Sequence, residues 1–111
     1  MKILHNQIRA NFKVGRWAIK VVPAIEGYRK TGHADLDADS VVQFYDSKYA
    51  GVNGFPPEGQ FVSSYYLRST LLDKQWGSNP SHGLDLCGYE PEWKVSGEDY
   101  EKIYEILKAL V

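Results

Sequence analysis

The chain has 111 residues, of which 43% are hydrophobic and 24% charged, and its formal net charge is −1. That balance excludes a disordered or low-complexity chain, and a single cysteine, Cys87, excludes both an internal disulfide and a cysteine-rich zinc module. No stretch approaches the roughly eighteen consecutive apolar residues that mark a membrane-spanning helix.

The length suits one domain over residues 1–111 with its own core. Met1 to Asn6 lack the apolar stretch of a secretory signal, so the expected compartment is the cytoplasm. The charge is polarised: residues 1–30 carry +6 and the remainder −7. Such asymmetry concerns partners rather than fold.

From Gln7 to Val14 polar and apolar residues alternate, with Ile8, Ala10, Phe12 and Val14 on one side. That is the pattern of a half-buried strand. Gly15-Arg16 follows and then Trp17 to Val22 alternates again, which predicts a two-residue hairpin with Gly15 at the positive-φ position of a type II′ turn. Pairing Val14 with Trp17 sets Phe12 against Ile19 and Ala10 against Val21 on one apolar face. Arg9, Lys13 and Lys20 then fall on the other face, with Arg16 at the tip, and that basic face is expected to meet solvent.

Pro23 ends the second strand, and Glu26 to His33 reads as a polar connection. Val41 to Tyr45 predicts a third strand, and Ser47 to Glu58, with its Asn-Gly pair and Pro56-Pro57, a long loop. Over Gly59 to Asp73 the apolar residues Phe61, Val62, Tyr65, Tyr66 and Leu72 recur with Ser69 at three- and four-residue spacing, which predicts a helix. Leu84 to Cys87 and Trp93 to Val95 predict short strands. Ser96-Gly-Glu-Asp resembles a capping box in front of an apolar stripe at Tyr100, Ile103, Tyr104, Leu107 and Leu110, which predicts the terminal helix, with Glu98 and Lys102 as an i,i+4 pair. The expected fold is α+β: an antiparallel sheet of four to five strands with two helices on one face, in the order β-β-β-α-β-(β)-α.

Asp35 to Asp46 places carboxylates at positions 1, 3, 5 and 12 of a twelve-residue calcium loop. Ser40 stands where the turn needs glycine and Asp46 where a bidentate glutamate is needed, so the run reads better as a turn leading into a strand. His5, His33, His82 and Cys87 share no zinc spacing. Cys87 acting as a nucleophile would need His33 or His82 brought beside it by the fold. No phosphate loop, nucleophile elbow or dinucleotide fingerprint occurs, and nothing local would tune Glu90 or Glu92 for acid-base work. The sequence therefore predicts no catalytic residues, no metal and no cofactor.

The features that point outward are basic and aromatic. Arg9, Lys13, Arg16 and Lys20 on one β surface suit phosphates or an acidic protein groove. Among eight tyrosines and three tryptophans, those outside regular elements (Tyr28, Tyr49, Tyr89 and Trp76), with Phe55, are the natural interface anchors.

The segments Phe44-Tyr-Asp-Ser-Lys-Tyr49, Gly59-Gln-Phe-Val-Ser-Ser-Tyr-Tyr66 with Thr70-Leu-Leu72, Gly83-Leu-Asp-Leu-Cys-Gly88 and Pro91-Glu-Trp-Lys-Val-Ser96 resemble small uncharacterised proteins of bacteriophages and prophages. The resemblance spans residues 44–111 and leaves out the basic hairpin. It implies a non-enzymatic accessory protein that binds a host protein, such as an inhibitor of a bacterial defence system like a CRISPR nuclease. The expected contact residues are Arg9, Lys13, Arg16, Lys20, Tyr49, Phe55 and Trp76. A small nucleic-acid-binding protein using the same basic surface and an enzyme are the alternatives.

Overall fold

The structure is a computed structural model, and it describes residues 9–23, 39–47, 62–73, 79–86 and 93–111. Among these, four strands form an antiparallel sheet in the order β1-β2-β3-β4: β1 is Ala10–Val14, β2 Trp17–Pro23, β3 Ser40–Asp46 and β4 Ser63–Tyr66. β4 runs into a π-helical turn at Leu67–Leu71, and a 3-10 turn at Pro80–His82 leads to a second, two-stranded sheet of β5 (Leu84–Asp85) and β6 (Lys94–Val95). Helix α1, Gly97–Lys108, follows. The fold is α+β and its main sheet antiparallel, as the residue pattern predicts.

The hairpin takes the predicted register: Val14 pairs with Trp17, Phe12 with Ile19 and Ala10 with Val21. Gly15 has φ +56°, and no non-glycine residue among those described has positive φ. Arg16 therefore keeps an ordinary φ, which fits type II′ rather than type I′. β3 extends the sheet with Ile19 against Phe44 and Val21 against Val42.

The apolar face of the sheet carries the core. Trp17, Ile19, Val21, Val42 and Phe44 pack with Leu67, Leu71, Leu84, Leu86 and Val95 and with Tyr100, Ile103 and Leu107 of α1. Each large side chain so buried contributes about 1.5–3 kcal/mol. The helix begins as its sequence predicts, with Ser96 Oγ accepting from the N–H of Asp99 at 3.2 Å. Glu98 and Lys102 stand 3.9 Å apart, an exposed pair that adds little.

The predicted helix over Gly59 to Asp73 is not what forms: Ser63–Tyr66 is a strand, and only Leu67–Leu71 turns helically. Residues 59–61 lie outside the described residues. Val42 pairs with Tyr65 and Val41 with Tyr66, so two adjacent tyrosines serve opposite faces of a sheet, and the backbone bonds of β3 outweigh the local three- and four-residue spacing. The turn buries Leu67 and Leu71, neither of them in the predicted stripe, with Leu72 N–H donating to the Leu67 carbonyl at 2.8 Å.

A backbone contact anchors α1. A Cβ added at Gly97 would lie 2.0 Å from the Ser81 carbonyl oxygen, so the helix start rests directly on the 3-10 turn. Alanine is the better residue at an exposed helix position by about 1 kcal/mol, but here overpacking dominates. Gly97→Ala is expected to lower unfolding stability by about 1–3 kcal/mol in urea titration.

Tyr100 is fully buried and its hydroxyl has no hydrogen-bond partner among the described residues. Burial, reinforced by Tyr104 and Tyr65, pushes this phenol up to about 12. An unfolded tyrosine ionises near pH 10, so above that pH the unfolded state holds fewer protons than the native one and stability falls as pH rises. Tyr100→Phe is expected to raise stability by about 1 kcal/mol at pH 8. Denaturation between pH 9 and 12 is expected to show the gap widening in favour of the variant.

Candidate binding surface

The Gly15-Arg16 turn is clamped to the end of β3. The Arg16 carbonyl accepts from Ser47 N–H at 2.9 Å and from Ser47 Oγ at 2.5 Å, and the Arg16 guanidinium meets Asp46 Oδ2 at 2.6 Å. Trp93 Nε1 donates to the same oxygen at 3.2 Å, and the guanidinium lies 5.0 Å from the Trp17 ring centre. Asp46 is buried, so this one carboxylate ties together the hairpin tip, β3 and the residue preceding β6.

Asp39 does the same at the other end of β3. Its Oδ1 accepts from Ser40 N–H at 2.7 Å and Arg68 N–H at 3.0 Å, and its Oδ2 from Ser69 N–H and Ser69 Oγ, both at 2.9 Å. The π-helical turn has no capping side chain of its own at Tyr66. Asp39, some thirty residues upstream, caps it from outside.

These two roles bear on the calcium-loop pattern. Positions 5 and 12, Asp39 and Asp46, stand at opposite ends of a strand that advances roughly 3.3 Å per residue, so they cannot converge on one ion. Asp35 and Asp37 lie outside the described residues.

The four basic residues of the hairpin are not equivalent. Arg9 is exposed, but it donates to Ser40 Oγ at 2.6 Å and to the Leu110 carbonyl, holding the chain just beyond α1 against the sheet. That position suits a cation, since helix C-termini carry partial negative charge. Arg16 is committed to Asp46. Lys13 is exposed and Lys20 half-buried, both on the face opposite α1.

The expectation that this whole face meets solvent holds for Asn11 and Lys13 of β1 but not for β2. Ala18 and Val22 are buried, and on β3 so are Val41, Gln43 and Tyr45. Apart from Lys20 and Pro23, both faces of the two inner strands are buried, and their outward positions are mostly apolar too; alternation read from β1 does not carry across to β2.

Tyr49, Phe55 and Trp76 lie outside the described residues, as do Tyr28, Tyr89, Glu90, Glu92, His5, His33 and Cys87. His82 is exposed at the end of the 3-10 turn. Among the described residues no three of His, Cys, Asp and Glu cluster as metal ligands, and no helix is long and apolar enough to cross a membrane.

The described residues also form a concavity. A cleft of about 390 Å³ lies between the 3-10 turn and α1, where Glu101, Tyr104, Glu105 and Lys108 face Asn79, Pro80 and Ser81. The helix half of this set is visible in the sequence as an i, i+3, i+4, i+7 stripe; the opposite wall comes from about twenty residues upstream and has no local signal.

No protein-family model, curated protein or solved structure matches this chain.

Asp39→Ala removes a buried acceptor and leaves the N–H groups of Arg68 and Ser69 without it. Losing charge-assisted bonds of this kind is expected to cost about 3 kcal/mol in denaturant unfolding. Amide exchange is expected to accelerate at Arg68 and Ser69 before it does in β2, because the cap acts on the turn.

Proposed function

We propose that this chain is a non-enzymatic accessory protein of phage type that works by binding a host protein, with the exposed outer side of β1 in the N-terminal hairpin as its contact surface and inhibition of a bacterial defence system, such as a CRISPR nuclease, as its purpose. The observation that carries the choice of a protein partner over nucleic acid is the use made of the arginines. Arg9 and Arg16 donate to groups of this chain, Lys20 is half-buried and Lys13 is exposed, so the hairpin offers solvent little of its positive charge. Nucleic-acid binding draws its strength from many phosphate contacts, each adding about one unit to the salt dependence. So sparse a positive surface supplies little of that, whereas scattered positive charge suits the rim of a protein interface, where charge sets orientation and encounter rate. The resemblance to small phage proteins and the positive charge of residues 1–30 support the same reading.

The test uses the intact chain and a Lys13→Glu/Lys20→Glu variant with an unchanged melting temperature. The wild type is expected to co-purify a defined host protein from lysate, and the variant to bind that protein at least tenfold more weakly in titration at 50 mM salt. Salt-sensitive binding of DNA or RNA by the wild type, lost in the variant, would replace this reading with a nucleic-acid one; equal binding by both proteins would move the contact surface off the hairpin.

A further inference from the structure

The cleft beside α1 has chemistry that the hairpin does not share. Its walls are held in place: Asn79 Oδ1 accepts from Ser81 N–H at 3.1 Å and Ser81 Oγ at 2.9 Å, Pro80 opens the 3-10 turn, and Gly97 rests on the Ser81 carbonyl. A site whose walls are set before binding loses less entropy when it is filled.

The helix side already holds one cation. Lys108 Nζ lies 2.9 Å from Glu105 Oε1 and 5.4 Å from the centre of the Tyr104 ring, so a carboxylate and an aromatic face share an ammonium group. Glu101 stands one turn earlier on the same face. Glu98 is matched by Lys102 and Glu105 by Lys108, while Glu101 has no ion-pair partner among the described residues. Two carboxylates at i and i+4 repel each other along a helix. Lys108 already offsets the Glu105 side of that pair, so Glu101 is the carboxylate of this face that can accept a second cation.

We infer that this cleft binds a guanidinium group, an arginine side chain of a partner polypeptide, with Glu101 as its carboxylate acceptor and the Tyr104 ring as its stacking surface. Guanidinium fits better than ammonium because its planar fork presents two parallel donors to a carboxylate and stacks on an aromatic face, and it gives up its hydration more readily. The cleft is open, so a single arginine binds weakly and serves as one contact of a larger interface. The inference shares no residue with the hairpin surface, and either can fail while the other stands.

N-acetyl-arginine amide is the probe, titrated into the intact ¹⁵N-labelled chain while amide shifts are followed. Saturable shifts are expected at Ser81, Glu101, Tyr104 and Glu105. The uncharged isostere N-acetyl-citrulline amide is expected to produce none there, and the lysine analogue to bind several-fold more weakly than the arginine compound. Glu101→Gln, a change on the exposed face that leaves the fold intact, is expected to weaken binding at least fivefold; Tyr104→Leu tests the stacking wall separately. Absence of saturable shifts, equal shifts with the citrulline compound, or an unchanged affinity in Glu101→Gln would each overturn the assignment.

Discussion

A strand buried along its whole length cannot end in a carboxylate unless that carboxylate is fully engaged, and β3 has one at each end. Asp46, its last residue, and Asp39, the residue before its first, are both nearly inaccessible to water. A buried, unpaired carboxylate is among the costliest things a fold can contain, so each recruits donors from far along the chain. Asp46 takes the guanidinium of Arg16 and the indole of Trp93; Asp39 takes the backbone and hydroxyl of the turn after β4. The hairpin tip, the π-helical turn and the approach to β6 are positioned by these two side chains, and the core then fills the space between.

This constraint also reshapes the functional surface. Arginine at the tip of a basic hairpin suggests an outward contact, yet Arg16 is the natural partner for a buried carboxylate because its charge is permanent and its donors are directional. Arg9 is drawn the other way, to the Leu110 carbonyl just past the helix. The positive surface that remains is narrower than the charge count suggests, and it lies on β1, the end strand of the described sheet, rather than across the whole hairpin.

The cleft beside α1 arises from a different cause. The same helix that buries Tyr100, Ile103 and Leu107 must present its other side outward, and the close seating of Gly97 on Ser81 holds the 3-10 turn near that side. The concavity is thus a by-product of how the helix start is fixed, and it places an aromatic ring and acidic groups opposite a rigid turn.

The elements whose partners are close in sequence were legible from the residues alone. The hairpin register follows from alternation around a glycine that can take positive φ, and the terminal helix follows from Ser96 and a stripe at Tyr100, Ile103 and Leu107. Where partners are distant, the local pattern was silent or misleading. Tyr65 and Tyr66 look helical until β3 is beside them; Asp39 looks like a solvated turn residue until Ser69 reaches it; the outward face of β2 looks exposed until Ala18 and Val22 are seen to be buried. Periodicity reports which residues prefer to leave water, and so it determined the first three strands, the terminal helix and the α+β class, though not β4. Which backbone pairs with which beyond the hairpin, and which charge neutralises which, depends on residues far apart in the chain, as Val41 and Tyr66 or Arg16 and Asp46 are, and only the tertiary structure could decide that.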